Sequence, residues 1–167
     1  MDVPTPTLQV AITAGIEQLG AAVDHIGIDG CGAPTHAISL RDLAGAFATL
    51  AAPGSIVGRA MSSHPAMVGG PTRDITLWMQ ALPTLVAKEG AAGVMAAGFA
   101  DGRAISFKVA DGSDLARQAV VAEALRSADV DVDAVAPNTV ARAAVPVLGH
   151  GQPVGWIAAR KWTRCSS

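Results

Sequence analysis

A cysteine held between two glycines is the first group in this sequence with the makings of chemistry. Cys31 sits in Asp29-Gly30-Cys31-Gly32-Ala33-Pro34, where two glycines and a proline favour a tight loop over a helix or strand. A thiol in such a loop stays approachable and can act as a nucleophile or a metal ligand. The alternative is a small buried apolar residue, the commonest fate of a free cysteine. The second group is Lys88, at the end of an apolar strand pattern and just before Glu89-Gly90-Ala91-Ala92-Gly93. A lysine with a partly buried stem can serve as a base or orient a carboxylate; its bland counterpart is a snorkelling lysine paired with Glu89. Cys165 is the only other cysteine, too few for a disulfide framework, and no Cys or His stands at zinc-finger spacing. His25, His36, His64 and His150 are scattered and read as structural. There is no G-x-S-x-G elbow, phosphate loop or dinucleotide fingerprint, and Gly93 and Gly98 fall in a strand pattern.

The elements that must position these groups alternate between helical and strand periodicity, which suggests α/β or α+β. Thr7 can cap a helix over 8–22, with Leu8, Ile12, Ile16 and Leu19 on one face. A short strand follows at 25–28. Ser39-Leu40-Arg41-Asp42 resembles a capping box and opens a helix that Pro53-Gly54 stops. Ser55 can cap a helix over 56–61, which His64-Pro65 breaks; a flexible Gly69-Gly70-Pro71-Thr72 loop precedes a helix over 74–82, making the middle of the chain loop-rich. The sequence leaves open whether Arg73 and Asp74 touch substrate or simply begin that helix; for Asp74 the helix start is favoured, because an acidic first turn suits the helix dipole. Strand patterns then run over 85–88, 94–99 and 104–109, the last two joined by Asp101-Gly102, a strong hairpin signal. Ser113 or Asp111 starts a helix over 115–126, two strand patterns, 145–148 and 154–157, close the domain, and 161–167 reads as a loose tail.

The chain has 167 residues, the size of one compact domain, since domains run roughly 100–200 residues. Half of the residues are hydrophobic, 16% are charged, and mean hydropathy is +0.38, which excludes a disordered chain. With no tyrosine and 4% aromatics, the buried material is mostly Ala and Val. Each such side chain contributes modestly, so the core must be closely packed or completed by another chain. A net charge of −2 without a basic block argues against nucleic acid. The longest apolar stretches fall far short of the ~20 residues that a bilayer span needs. The first six residues have neither the basic region nor the apolar run of a secretory signal. The expectation is a cytoplasmic protein with no membrane or nucleic-acid partner.

The run Ile28-Asp29-Gly30-Cys31-Gly32-Ala33-Pro34-Thr35, followed by Ser39-Leu40-Arg41-Asp42-Leu43-Ala44, resembles the signature of the rhizobial-type L-asparaginase family, also called the asparaginase II family. The likeness continues through Ala60-Met61, His64-Pro65, Met67-Val68-Gly69-Gly70, Val86-Ala87-Lys88, Gly90-Ala91 and Lys108-Val109-Ala110-Asp111-Gly112, in order over most of the chain. The resemblance implies hydrolysis of L-asparagine to L-aspartate and ammonia on a fold similar to serine β-lactamases and glutaminases. There, a lysine-activated serine attacks the amide carbon, an acyl-enzyme forms and water releases aspartate. By the same resemblance Lys88 matches a lysine of the catalytic pocket, and Cys31 matches a ligand of a metal ion, implying zinc with a ligand set incomplete in this sequence.

The sequence also departs from the family pattern. Members carry the nucleophilic serine in an S-x-x-K motif within a preceding half, and no such motif occurs here; Ser62 and Ser63 lack the lysine. Glu89 stands where relatives commonly have a small residue, and could neutralise Lys88 or block the pocket. The expectation is therefore that residues 1–160 form the C-terminal portion of an asparaginase-like domain, with edge strands and helix faces left uncovered. It would be truncated or one part of a split enzyme, inactive or nearly so in isolation, and completed by a separate N-terminal half or a second copy. The alternative is a non-catalytic amino-acid-binding or interaction module of the same fold.

Overall fold

The computed structural model describes residues 7–160 and, at 141–143, the backbone alone; the expected tail at 161–167 and Cys165 lie outside the described residues. The fold is α/β, with helices packed on both faces of an antiparallel sheet. That sheet has three strands, β3 (Leu85–Gly90), β4 (Val94–Phe99) and β5 (Ala104–Lys108), in the order β3-β4-β5. Before it come α1 (Thr7–Gln18), the hairpin β1 (His25–Ile28) and β2 (Pro34–Ala37), then α2 (Leu40–Ala51), α3 (Ile56–Ser63), α4 (Pro65–Gly69) and α5 (Asp74–Ala81). After it come α6 (Asp114–Ser127), α7 (Val132–Val135), α8 (Pro137–Ala143) and the hairpin β6 (Val145–Gly149) and β7 (Gln152–Ile157).

The pleat sorts the central sheet into two faces. Leu85 pairs with Phe99, Ala87 with Ala97 and Glu89 with Met95, and Met95 in turn with Phe107. This face packs on Ile75, Trp78 and Met79 of α5 and on Val121 and Leu125 of α6 to form the core. The opposite face carries Val86, Lys88, Ala96, Gly98 and Ser106 and lies under α2. A Cβ at Gly98 would sit 2.1 Å from the Phe47 carbonyl oxygen, so glycine is what lets the helix backbone rest on the strand. The Ser106 hydroxyl donates to the Leu40 carbonyl at 2.5 Å. Covered on both sides, β4 is buried from Met95 to Phe99, which explains its unbroken apolar sequence.

Capping side chains start the helices where the sequence says they should. Ser39, Ser55 and Ser113 each accept from the backbone N–H three residues on, at 3.0, 3.0 and 3.2 Å. Asp101 and Gly102 form the β4–β5 turn, with Gly102 at φ +89°.

Several expectations need correction. Helix α1 ends at Gln18, not Ala22, because the chain turns at Gly20 with φ +87°, and Thr7 is its first residue rather than its cap. It buries none of its residues. The Cys31 loop is tight and ends β1 as expected, but Pro34–Ala37 after it is an additional strand that pairs with β1, so the loop closes a hairpin. The middle of the chain is helical rather than loop-rich: α4 runs through Gly69, and the buried Thr76 hydroxyl ties the Gly69–Thr72 bend to α5 by donating to the Gly70 carbonyl at 2.6 Å. β3 continues past Lys88 to Gly90, and Gly93 lies in the β3–β4 turn at φ +73° rather than in a strand. Helices α7 and α8 were not foreseen.

The most demanding polar group in the fold is Arg117 of α6, 1% exposed. Its guanidinium donates to both Asp74 oxygens, at 2.9 and 3.0 Å, and to Asp114 at 2.7 Å. Burial alone would lower its pKa; the hydrogen bonds to Asp74 and Asp114 more than offset this and hold it above the ordinary value. Hydrogen bonding from Arg117, opposed by partial burial, holds the Asp114 carboxyl below its ordinary range. Arg117→Ala is expected to destabilise the protein by about 3 kcal/mol or more in urea denaturation, because it leaves Asp74 partly buried without its partner. A depressed folded-state pKa stabilises above the unfolded value of about 3.9. The Asp114 contribution is therefore full at neutral pH and lost as pH falls below about 4, and Asp114→Asn should flatten that acid limb.

A charged cleft at the open edge of the central sheet

Lys88 and Glu89 are neighbours on β3, so their side chains leave on opposite faces of the sheet. Among the described residues β3 pairs only with β4, and its outer edge is open. The Lys88 chain wraps this edge: its ammonium donates to the Glu89 carbonyl at 2.7 Å and lies 3.6 Å from Glu89 Oε2. Glu89 points to the core face and is 6% exposed. Its Oε1 accepts from Arg73 at 3.4 Å, and its Oε2, although within charge contact of Lys88, has no hydrogen-bond partner. A buried carboxylate thus tethers two half-exposed cations loosely, one from β3 and one from the turn before α5.

These groups line an open cleft of about 570 Å³ together with Asp114, the first residue of α6; Val68, Gly69 and the β3–β4 turn fill the rest of its wall. Each wall has a local cause. Arg73 is aimed by the Gly69–Thr72 bend, where Gly69 packs so closely on Ile75 and Thr76 that a Cβ would fall 2.5 and 2.7 Å from them. Asp114 is fixed at its helix start by Arg117 and by Gln118, which donates to its Oδ2 at 3.0 Å. The Arg73 charge also helps to lower the Asp114 pKa. Two positive and two negative side chains converge on one cleft, an arrangement suited to a small ligand carrying both signs of charge.

Cys31 is elsewhere in the fold. It is exposed at the tip of the β1–β2 hairpin, which overturns the reading of a buried apolar residue, and it does not line the cleft that holds Lys88. Its thiol points to Asp29 Oδ2 at 3.7 Å, while Asp29 Oδ1 accepts from the Gly30 N–H at 2.8 Å. One thiol and one carboxylate fall short of the three or four ligands that hold zinc. Among the described residues, no group of three His, Cys, Asp or Glu side chains is gathered as a metal site. The residues described here therefore do not by themselves fit the zinc that the resemblance implies.

The histidines stay outside the cleft; His36 Nε2 pairs with the Thr13 hydroxyl at 2.7 Å, and His64 ends α3. Ser62 and Ser63 close α3 and do not line the cleft either. Asp114 escaped sequence reasoning as a site residue, although an acidic residue after a capping serine was visible; only the tertiary link from α6 to the start of α5, through Arg117 and Asp74, brings it to the cleft. Arg73 was noticed but left open, and its neighbour Asp74 begins α5 as expected.

A protein-family model described as L-asparaginase II matches residues 3–159. Among curated proteins, none matches the chain. Among the described residues, no helix is long and apolar enough to cross a membrane.

Because Glu89 Oε2 is buried without a hydrogen bond, the carboxylate adds little net stability. Glu89→Met should leave the unfolding free energy within about 1 kcal/mol of the parent in urea denaturation, or raise it. A loss beyond about 3 kcal/mol would show that the Arg73 and Lys88 contacts stabilise the fold instead.

Proposed function

The chain belongs to the L-asparaginase II family, and on that premise we propose that it serves the hydrolysis of L-asparagine to L-aspartate and ammonia, with Lys88 as the catalytic lysine of the site. The observation that supports this reading is the position of Lys88, on an open sheet edge at the wall of a cleft of mixed charge. In this reading its ammonium orients the amino-acid substrate and assists proton transfer to the departing nitrogen.

Such a reaction needs a nucleophile, and among the described residues the cleft wall contains no serine, threonine or cysteine. Ser62 donates its hydroxyl to the Arg59 carbonyl at 3.2 Å, an ordinary helical contact. We therefore infer that the attacking serine is supplied by a polypeptide segment other than these 167 residues, such as a separate N-terminal half, and that the chain by itself is inactive or very weakly active. The bare cleft also supports a second reading, an amino-acid-binding module without catalysis. Cys31, with Asp29 beside it, is in the first reading a metal donor only within a ligand set completed by that other segment.

Ammonia release from L-asparagine should be at background for the purified chain and should appear when a family N-terminal half bearing the S-x-x-K motif is added. Lys88→Met should abolish the restored activity. Clear turnover by the chain alone would sink the supplied-nucleophile reading, and asparagine binding without turnover in the mixture would favour the binding module. In the same mixture, zinc content should fall with Cys31→Ala; equal zinc in parent and variant would remove Cys31 from the ligand set.

A further inference from the structure

The cleft holds charges that hydrolysis of an amide does not itself require. Arg73 and Asp114 stand on its wall with Lys88 and Glu89, and neither is used by the reaction as described. Arg73 is 58% exposed, and its one hydrogen bond within the cleft is the loose 3.4 Å contact to Glu89 Oε1. That leaves most of the five N–H donors of the guanidinium turned to solvent. Lys88 is 46% exposed and also leans on Glu89. The two cations are thus held side by side by one carboxylate that is itself buried and short of hydrogen bonds. On the wall formed by α6, Asp114 is 56% exposed. It receives one hydrogen bond on each oxygen, from Arg117 and Gln118, and each oxygen keeps a lone pair free.

We propose that this cleft is a clamp for the zwitterionic end of a free α-amino acid, with Arg73 and Lys88 taking the α-carboxylate and Asp114 the α-ammonium. Glu89 is the positioning residue beneath the clamp, holding the two cations together at the sheet edge. The charges fit such a ligand: two positive and two negative side chains meet a head group that is itself neutral overall but strongly polarised. A paired guanidinium and ammonium suit a carboxylate, and burying a charge is favourable only beside its opposite. The clamp selects free amino acids and disfavours peptides, whose α-groups are blocked. This inference rests on the asparaginase reading for the identity of the side chain, though not for the recognition of the head group.

The test is calorimetric titration of the full chain with L-asparagine, with succinamate, which lacks the α-ammonium, with 3-aminopropanamide, which lacks the α-carboxylate, and with glycine. Asparagine should bind, and each truncated analogue should bind about tenfold more weakly or worse, the usual effect of removing one charge-assisted contact. Arg73→Gln should bring asparagine down to the level of 3-aminopropanamide while leaving that analogue unaffected; Asp114→Asn should do the same relative to succinamate. The analogue series on the parent protein stands even if a variant fails to fold. Equal binding of all four compounds, or binding of none, overturns the clamp. Glycine binding as tightly as asparagine, with the same response to both variants, keeps the clamp and removes asparagine as its ligand. Preference for asparagine with no response to either variant leaves the asparaginase reading standing and overturns the clamp.

Discussion

Arg117 is the constraint on which the rest of this structure turns. A guanidinium that is almost fully buried has to satisfy its donors within the protein, and it does so by joining the first residue of α5, Asp74, to the first residue of its own helix, Asp114. Those two helix starts are the sequence neighbours of the cleft: Arg73 precedes Asp74, and Asp114 is itself on the wall. One buried cation therefore sets the spacing between the two sides of the candidate site. The same bonds keep α5 and α6 on one face of the central sheet, where Trp78, Val121 and Leu125 share the core with Leu85 and Phe99.

On the other face, the fit of α2 against the sheet is set by an absence. Gly98 carries no Cβ, so the backbone at Phe47 can approach the middle strand. The sheet is thereby enclosed on both sides while the outer edge of β3 stays open. Hydrophobic burial secures the strand through Leu85, Val86 and Ala87, and its polar residues follow at Lys88, half-exposed, and Glu89, buried on the core face. The boundary between packing and chemistry falls at that step in a single strand.

Family membership and site geometry bear on different parts of the function. The family match covers nearly all of the chain and carries the expectation of amide hydrolysis. Among the described residues, the cleft wall carries side chains of both charge signs and no hydroxyl or thiol. The β1–β2 hairpin, with Cys31 at its tip, is joined to α1 by the bond between His36 and Thr13. Leu8, Val10 and Ile12 of α1 and Ile28 at the end of β1 remain exposed.

The sequence by itself determined the local elements and the residue types with chemical potential. Capping serines at 39, 55 and 113, the breaker at His64-Pro65 and the Asp101-Gly102 turn act within a few residues, so their effects are readable from adjacent positions. Lys88 stood out because a lysine interrupts an apolar strand, and Cys31 because glycines flank it. Tertiary structure decided which of these groups meet. Of the two groups that the sequence singles out, the fold sets Lys88 in a cleft with Arg73, Glu89 and Asp114 and Cys31 at the tip of the β1–β2 hairpin, off that cleft's wall. The burial of Glu89 was equally hidden, because whether a residue on a strand faces core or solvent depends on the helices that cover each face, and those come from stretches of chain distant in sequence. Local chemistry is written in neighbouring residues; convergence of charge is a property of packing, which no short window of sequence contains.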